Sequence, residues 1–336
     1  MSLKDSIMRA MLLEKPKTPL KLVDLPIPEP TSSQVLLQVE ACGVCRTDLH
    51  IRDGELTHPH LPLILGHQIV GIVTGVGSKV KNFKIGDCVG VPWLGGCCDA
   101  CEYCLSGREN LCDHGTFTGY QAQGGFAEYA VANASFCFPI PAGFSPLQAA
   151  PLLCGGLIGY RALRMTGNAK KLGFYGFGSS AHLLTQAAVY QGKSVYVFTR
   201  PGDERTQAFA KTLKAIWAGG TDELPPVELD AAIIFAPAGD LVPTALKALA
   251  KGGVVVCAGI YMSDIPSFPY SLLYGERMIR SVTNLTRQDG NEFLALASKV
   301  PIHSQVNVYP LEKANQALDD LKQGKVNGSV VLQIKD

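Results

Sequence analysis

Four closely spaced cysteines constrain the fold of this chain more than any other feature of its sequence. Cys98, Cys101 and Cys104 follow one another at intervals of three positions, and Cys112 completes the group eight positions later. Thiolates are soft ligands, and zinc binds four of them tetrahedrally. Ligands this close in sequence converge only if the chain turns tightly around one ion, and Gly107 allows such a turn. A four-cysteine site has no open position for a substrate, so this zinc is expected to be structural.

Disulfides and a nucleic-acid-binding zinc ribbon are the two alternatives for this cluster. Residues 1 to 5 carry charges but no apolar signal core, which favours a reducing, cytoplasmic location in which thiols stay free. The formal net charge of +1 provides no basic surface of the kind that nucleic acid requires. No apolar run approaches the ~20 residues of a membrane span. We therefore expect zinc, no nucleic-acid partner and no membrane segment.

The chain is long enough for two domains, and its pattern changes near residue 155. The first part contains short β-like runs separated by turn residues, at 35–39, 69–76, 88–91 and 126–131. From Lys171 onwards, predicted strands (172–175, 194–198, 230–235, 253–258) alternate with predicted helices (181–190, 203–213, 241–250). Helices at 288–298 and 311–323 and a strand at 328–334 follow. This alternation predicts βαβ units, and hence an α/β fold with a doubly wound parallel sheet beside a β-rich domain.

A glycine-rich turn lies between the first strand and the first helix of the alternating part. Gly176, Gly178 and Ala181 form the pattern G-x-G-x-x-A directly after the strand 172–175. The first glycine makes the tight turn, and the second lets the backbone approach a pyrophosphate. The small Ala181 allows close packing of the helix on the strand. Because the pattern sits between a strand and a helix, it predicts a dinucleotide site.

The residues that follow the predicted strand 194–198 indicate which dinucleotide is bound. NAD enzymes place an acidic residue there to bind the ribose 2′-hydroxyl, whereas this chain has Thr199 and Arg200. A hydroxyl and a guanidinium suit a 2′-phosphate, and Arg205 lies one turn into the next helix. We therefore expect NADP(H) to be favoured, with NAD(H) as the alternative if Arg200 is only a solvated loop residue.

A second set of metal-binding side chains is spread over the first part of the chain. Cys45 follows a predicted strand, His67 precedes one, and Cys154 stands at the start of a predicted helix. Each alone is more often a core residue. Together they form a Cys₂His set, which leaves the fourth zinc position to water or substrate. We interpret the remaining cysteines as core residues or free thiols, with Cys97 as the one competitor for a ligand position.

At these motifs the chain resembles the zinc-dependent alcohol dehydrogenases of the medium-chain dehydrogenase/reductase superfamily. The resemblance covers nearly the full length. It rests on G-V-C-R-T-D-L-H at 43–50, G-H at 66–67, the four-cysteine lobe, P-L-L-C-G-G at 151–156, the glycine turn and Gly252-Gly253. It implies a GroES-like catalytic domain with the zinc lobe over residues 1–155 and a Rossmann domain over 156–295. The segment 296–336 would complete the catalytic domain.

The resemblance also implies roles for single residues and an activity on small alcohols and aldehydes. Cys45, His67 and Cys154 would hold a catalytic zinc, and the four-cysteine cluster a second, structural zinc. Thr47 would bond the substrate oxygen, His50 would pass the proton to solvent, and Asp48 would orient the ligand histidine. Trp93 would form a wall of the substrate pocket. Relatives of this kind form homodimers or homotetramers, which suggests a subunit interface at the strand near Val254–Ala258.

Three departures from the family pattern, and one rival function, follow from the same comparison. Gln68 stands where the family has a glutamate, the acid after the second strand of the cofactor domain is absent, and Ser329 replaces a common arginine. The rival is an NADPH-binding, quinone-reductase-like or sensor protein without alcohol dehydrogenase activity. Such relatives commonly lack the four-cysteine lobe or some catalytic ligands, so a count of bound zinc would discriminate.

Overall fold

The computed structural model describes residues 6–56 and 58–335, so the expectation about residues 1–5 lies outside the described part. The chain divides into two compact units. The first unit contains the residues up to Cys154 together with Leu285–Ser298 and the segment from Ser304 onwards. The second unit contains Gly155–Asn284 and Lys299–His303.

The first unit is built mainly from β-strands. Its strands are β1 (Ile7–Leu13), β2 (Lys21–Pro26), β3 (Gln34–Val44), β4 (Leu63–Ile64), β5 (Ile69–Val76), β6 (Cys88–Val91), β7 (Leu94–Gly96), β8 (Thr116–Phe117), β9 (Tyr129–Asn133), β10 (Phe138–Pro139), β17 (Val306–Pro310) and β18 (Ser329–Gln333). Its helices are α1 (Arg46–Arg52), α2 (Glu102–Leu105), α3 (Pro146–Ala149), α8 (Arg287–Ala297) and α9 (Ala314–Lys322).

A seven-stranded sheet forms the core of this unit. Its order is β10-β6-β5-β3-β18-β17, and β9 pairs with the first half of β3. A three-stranded sheet β2-β1-β4 and the small two-stranded sheet β7-β8 accompany it. The long strand β3 is central because it pairs with β5, β9 and β18 and is largely buried. Cys45 and helix α1 follow directly after the end of β3.

The second unit contains a parallel sheet with helices. Its strands are β11 (Lys171–Tyr175), β12 (Ser194–Thr199), β13 (Trp217–Gly220), β14 (Leu229–Ile234), β15 (Leu249–Cys257) and β16 (Met278–Ser281). Its helices are α4 (Gly155–Arg164), α5 (Ser179–Tyr190), α6 (Glu204–Thr212) and α7 (Leu241–Ala248). The order β13-β12-β11-β14-β15-β16 is parallel throughout, which confirms the predicted doubly wound sheet.

Both faces of this sheet are covered, as its apolar sequence requires. Leu172 and Phe174 on β11 pack in one cluster with residues of α4, α5 and α6. The next residue, Tyr175, points to the opposite face and packs with residues of α7. Since side chains of a strand alternate between faces, buried strands of this kind are apolar at successive positions.

The structure differs from the sequence expectation in where one helix belongs. Residues 156–295 were expected to form the dinucleotide domain, but α8 is part of the first unit. Within that unit Gly290 lies against the ring of Phe138, where an added Cβ would come within 2.4 Å of the ring. A helical period shows that a segment is amphipathic, but not which sheet its apolar face packs against.

The strand that was expected at a subunit interface is an internal strand of its sheet. Strand β15, which includes Val254 and Cys257, is paired with β14 on one side and β16 on the other. It therefore has no free edge, and β16 is the terminal strand of the sheet. The sequence analysis missed β16 because its four residues include only two apolar ones. In the described part of the chain, no helix is long and apolar enough to span a membrane.

Candidate functional site

The four-cysteine lobe of the first unit brings its sulfur atoms into one cluster. The Sγ atoms of Cys98, Cys101, Cys104 and Cys112 lie within 4.8 Å of one another. The Cys101–Cys104 and Cys98–Cys112 pairs are 3.5 Å apart, and the Cys98–Cys104 pair is 3.9 Å apart. Two sulfurs bound to one tetrahedral zinc at about 2.3 Å would be separated by about 3.8 Å. The four side chains therefore fit one zinc ion whose coordination positions are all filled by protein.

The backbone of the lobe favours the thiolate form of Cys98, whereas burial and the neighbouring thiols raise the pKa of Cys104. The N–H of Cys101 donates to Sγ of Cys98 at 3.3 Å, and the N–H of Cys98 donates to Sγ of Cys112 at 3.4 Å. Backbone hydrogen bonds from Ala100 and Cys101 lower the pKa of Cys98 to about 6. Gly107, with φ +69°, turns the chain between the third and fourth cysteine. A lowered thiol pKa increases the fraction that is ready to bind metal at neutral pH.

An arginine from α8 holds the lobe in place. The carboxylate of Glu109, which is buried, accepts hydrogen bonds from the backbone N–H and Nε of Arg287 at 2.8 and 3.2 Å. The same guanidinium donates to Asp99 at 3.0 Å and lies over the ring of Phe136. The sequence analysis missed this contact because Glu109 and Arg287 are 178 positions apart and match no short motif.

The second ligand set also converges. One ligand atom from each of Cys45, His67 and Cys154 lies within 4.8 Å of the others, and Sγ of Cys45 is 3.2 Å from Nε2 of His67. Cys45 follows β3 as the N-cap of α1, and His67 lies between β4 and β5. Cys154 lies just before α4, where its backbone leaves the helical region. Two sulfurs and one imidazole nitrogen leave one position of a tetrahedral zinc open, as a catalytic site requires.

The electrostatics of this set favour a cation. A hydrogen bond from the Cys154 thiol, together with the nearby His67 ring, holds the pKa of Cys45 well below its ordinary value against the effect of burial. The same contact and burial raise the pKa of Cys154. Burial alone would lower the pKa of His67, but the charges of Cys45 and Asp48 raise it to about 10. Cys45 is therefore the thiolate of the set, and binding of a divalent cation would release the protons of Cys154 and His67.

Asp48 stands behind the histidine ligand. Its side chain is fully buried, and Oδ1 is 3.4 Å from Nδ1 of His67. Oδ2 accepts the backbone N–H of Cys45 at 2.8 Å, and Oδ1 accepts that of Gly66 at 3.2 Å. The Asp48 carboxylate thus contacts the His67 imidazole, the backbone of Cys45, and the backbone of Gly66, which precedes His67. A carboxylate facing the second ring nitrogen sets the orientation of a metal-bound histidine.

Helix α1 also carries the two residues expected to move a proton. Thr47 is nearly buried in the first turn, where its backbone N–H donates to Sγ of Cys45 at 3.3 Å. His50 follows three positions later, and its Nδ1 pairs closely with the carboxylate of Glu55. The backbone N–H of Glu55 also donates to the carbonyl of His50 at 2.8 Å. The sequence analysis missed Glu55, although an acid just after the helix that carries His50 was a usable signal.

Trp93 belongs to an aromatic stack beside the histidine ligand. Its ring centroid is 5.0 Å from that of His67, in an edge-on arrangement. Phe117 and Tyr120 stack on it at 5.2 and 5.7 Å. Only Trp93 was predicted from the sequence. The two additional rings give the candidate metal site one apolar, rigid flank.

The two departures from the family pattern in this unit are both buried. The amide of Gln68 lies against β3, where a Cβ on Gly43 would come within 2.5 Å of Oε1. Position 43 therefore has room for no side chain. Ser329 is the first residue of β18 and is also buried.

In the second unit, the glycine turn has the geometry of a phosphate cradle. Gly176 has φ +86°, and a Cβ there would lie 3.1 Å from Ala236. Gly178 is the N-cap of α5, and a Cβ built on it would meet nothing within 4 Å. Ala181 is fully buried against the sheet. Open space at Gly178 in front of a helix N-terminus fits an anionic phosphate, so these residues suit a bound dinucleotide.

The three residues expected near the 2′-position of the ribose do not share one environment. Thr199 is buried, and its hydroxyl accepts from Nε2 of Gln207 at 3.0 Å and donates to the carbonyl of Arg200 at 3.1 Å. The Thr199 hydroxyl therefore forms its hydrogen bonds within the protein. Arg200 and Arg205 are exposed at the end of β12 and on the first turn of α6. These two guanidinium groups are the cationic part of the predicted subsite.

Comparison with known proteins extends the likeness over almost the whole chain. Residues 31–142 match the family model of the alcohol dehydrogenase GroES-like domain. The chain is 45% identical over 324 residues to the probable alcohol dehydrogenase AdhA of Mycobacterium tuberculosis, covering 94% of this chain and 93% of that protein. It is 36% identical to an alcohol dehydrogenase of Geobacillus stearothermophilus, with 97% and 100% covered. The cobalt- and zinc-bound thermostable alcohol dehydrogenase from Pyrobaculum aerophilum is structurally similar, with a TM-score of 0.88, 26% identity and coverage of 98% and 100%.

Proposed function

Because the chain belongs to the zinc-dependent alcohol dehydrogenases of the medium-chain dehydrogenase/reductase superfamily, we propose its metal content, its residue roles and its cofactor preference from that premise. The protein is an oxidoreductase that interconverts an alcohol and an aldehyde or ketone by hydride transfer with a nicotinamide cofactor. Each chain holds two zinc ions. Cys45, His67 and Cys154 bind the catalytic ion, and the four cysteines of the lobe bind the structural one.

The convergence of two thiols and an imidazole on one point, with Asp48 behind the imidazole, carries this proposal. Zinc bound there supplies a Lewis acid that lowers the pKa of an alcohol hydroxyl and polarises a carbonyl. As zinc-bound thiolates, Cys45 and Cys154 would balance the two positive charges of the ion in this buried site. Asp48 holds the His67 ring so that Nε2 faces Cys45.

Side chains of α1 transfer the proton that the alcohol releases. Thr47 lies in the first turn of the helix that Cys45 caps, and its backbone N–H donates to Sγ of Cys45, which supports a role for its hydroxyl in binding the substrate oxygen. His50 follows at i+3, on the same face of the helix. The Glu55 carboxylate holds Nδ1 of His50 and stabilises the ring in one orientation. Thr47 and His50 thus form a path for the proton towards solvent.

The second unit binds the cofactor, and its exposed arginine favours NADP(H) over NAD(H). Gly178 and the N-terminus of α5 bind the pyrophosphate. Arg200 stands at the end of β12, where an NAD enzyme has an acid. An acid there would repel a 2′-phosphate, whereas a guanidinium binds one with charge-assisted hydrogen bonds.

The substrate is a small alcohol or the corresponding aldehyde, and the stack of Trp93, Phe117 and Tyr120 forms one wall of its pocket. The quinone-reductase-like alternative is less compatible with a chain in which both ligand sets are assembled. A count of two zinc ions per chain favours the dehydrogenase, and a count of zero or one favours the alternative.

The test of this proposal is loss of the catalytic ligands. In Cys154→Ser or His67→Ala we expect alcohol oxidation to fall by roughly a thousandfold or more, because the Lewis acid is lost. Zinc content measured by mass spectrometry should fall from two ions to one, with circular dichroism unchanged. The control is Cys88→Ser, which removes a thiol outside both ligand sets and should keep both ions. Near-normal turnover in a variant that has verifiably lost this zinc would contradict the mechanism.

We further propose that the protein is a homo-oligomer whose copies meet at the edge of the parallel sheet. Strand β16 is the terminal strand, and Met278 on it is about half exposed. Tyr270 and Tyr274, just before this strand, are more exposed still. A terminal strand flanked by exposed apolar side chains is a site for pairing with another copy.

A further inference from the structure

An open cleft in the first unit shares no residue with either candidate zinc site. It has a volume of about 510 Å³ and lies between the loop that joins β1 to β2, the end of α1 and one face of α9. Helix α1 begins after Cys45, and its seven residues separate the cleft from that ligand by about 10 Å. The charged and hydroxyl-bearing residues that line the cleft are Lys17, Thr18, Arg52, Asp53, Asp319 and Lys322.

Arg52 brings a nearly buried guanidinium to this cleft. Its side chain is only 10% exposed. Nε donates to Asp53 at 3.1 Å, and Nη1 donates to Asp319 at 2.7 Å. A guanidinium carries five N–H donors in a rigid fork, so these two bonds leave Nη2 to donate to a ligand in the cleft.

Lys17 is fixed beside this guanidinium by its backbone. Its φ of +63° lies in the left-handed region, which residues other than glycine adopt only when the surrounding structure holds them there. Its N–H donates to the carbonyl of Arg52 at 2.5 Å. The stem of its side chain passes Gly54, where an added Cβ would lie 3.7 Å from Cε of the lysine. The loop between β1 and β2 thus places a second cation at the end of α1.

The charges that line the cleft do not cancel. Lys322 donates to Asp53 at 2.6 Å, and Arg52 pairs with both Asp53 and Asp319. The three cations exceed the two carboxylates by one charge, and Lys17 is the cation that pairs with neither carboxylate. An anion is therefore the ligand that this cleft favours. The oxygens of a phosphate point in tetrahedral directions, so one phosphate can contact a guanidinium and an ammonium that come from separate elements.

We propose that this cleft binds a small organic phosphate. Nη2 of Arg52 and the ammonium of Lys17 contact the phosphate oxygens. The hydroxyl of Thr18 donates to the carbonyl of Lys15 at 2.7 Å and is able to accept a hydrogen bond from a hydroxyl of the ligand. The volume of about 510 Å³ lies within the range of about 300–1,000 Å³ for small-molecule sites, which leaves room for a carbon skeleton beside the phosphate. All lining residues belong to the first unit, so the site is separate from the proposed dinucleotide site.

Isothermal titration calorimetry with glycerol 3-phosphate, inorganic phosphate and glycerol tests this site, at an ionic strength kept constant because salt screens exposed charges. We expect both phosphates to bind the wild type and glycerol not to bind. Lys17→Ala should weaken phosphate binding about three- to fivefold, because an exposed charge pair is lost. Arg52→Lys keeps the charge but removes the fork, and should weaken it about tenfold. Lys325→Ala is the matched control, since it removes an exposed lysine just after α9 that pairs with Asp320 outside the cleft.

Arg200→Ala separates this cleft from the proposed cofactor site, which also attracts phosphate. We expect it to bind both phosphates as the wild type does. Binding that is lost in Arg200→Ala but kept in Lys17→Ala would place the anion in the cofactor site and overturn the proposal. A wild type that binds neither phosphate, or equal binding by Lys17→Ala and Lys325→Ala, would overturn it as well. Arg52 also joins α1 to α9, so circular dichroism checks the fold of Arg52→Lys, while the exposed Lys17 supplies a test that does not depend on that variant.

Discussion

At the scale of single residues, the proposed catalytic ligands are placed by the same side chains that begin a helix. As the N-cap, Cys45 accepts a hydrogen bond from the N–H of Thr47 at its sulfur. The Asp48 carboxylate in turn accepts a hydrogen bond from the N–H of Cys45. This is the reciprocal pattern of a capping box, with a thiol in the place of a hydroxyl. Asp48 at the same time faces His67. Formation of the first turn of α1 therefore sets the geometry of two ligands.

Cofactor preference is the property that a single residue is expected to change most. In Arg200→Ala we expect the advantage of NADPH over NADH in kcat/KM to fall from about tenfold to near one. A charge-assisted hydrogen bond to the 2′-phosphate contributes about 1.5–3 kcal/mol when well formed, and less when it is exposed to solvent. Because the Thr199 hydroxyl is bonded within the protein, it should contribute little.

Steady-state kinetics with both cofactors measures this effect. Lys211→Ala is the control, because it removes an equal charge from the far end of α6 and should leave the ratio unchanged. A wild type that prefers NADH would show that Arg200 faces solvent and that the cofactor is NAD.

At the scale of elements, the four-cysteine lobe is too small to be stable by itself. It contains the four-residue helix α2 and lies between the two short strands β7 and β8, and the exposed Leu105 contributes nothing to a core. The contact of Arg287 with Glu109 and Asp99 supports its conformation, and we propose that a bound metal does so as well. Small elements without an apolar core commonly fold only together with their metal.

Loss of one thiolate in this lobe should affect stability rather than chemistry. In Cys101→Ser we expect one zinc of two to be lost and the melting temperature to fall by roughly 5–10 °C. The matched control is Cys97→Ser, since this neighbouring thiol lies outside the cluster and donates to Asp99. Differential scanning calorimetry and zinc analysis measure both effects. An unchanged melting temperature after loss of that zinc would show that the lobe does not depend on the metal.

At the scale of the whole molecule, the strands β16 and β17, each at one end of its sheet, differ in the exposed side chains available for contact with a second copy. Met278 on β16 is accompanied by the exposed Tyr270 and Tyr274, whereas Val308 on β17 is about as exposed but stands on the other unit. We expect light scattering to show a homo-oligomer for the wild type and smaller species for Met278→Lys, because a lysine ammonium resists burial at a sheet edge. Val308→Lys should keep the wild-type mass. If both variants or neither change the mass, β16 is not the interface.

The sequence alone determined the fold class and proposed both ligand sets, because these depend on local order. A strand that runs into G-x-G-x-x-A and a helix predicts the dinucleotide fold from neighbours within about ten positions. The spacing of Cys98, Cys101 and Cys104 likewise requires only a tight turn. The ligands Cys45, His67 and Cys154 are far apart in sequence, and resemblance to a family supplied their association.

Only the tertiary structure decided which long-range contacts complete these sites. It assigned α8 to the first unit, joined Arg287 to Glu109, and turned the hydroxyl of Thr199 inward. It also placed Lys17 against the end of α1. Such outcomes depend on which surfaces pack together, and a one-dimensional pattern of apolar and polar residues is compatible with many packings. The physical reason is that local backbone preferences act between neighbours, whereas burial and hydrogen-bond satisfaction act between residues that only folding brings together.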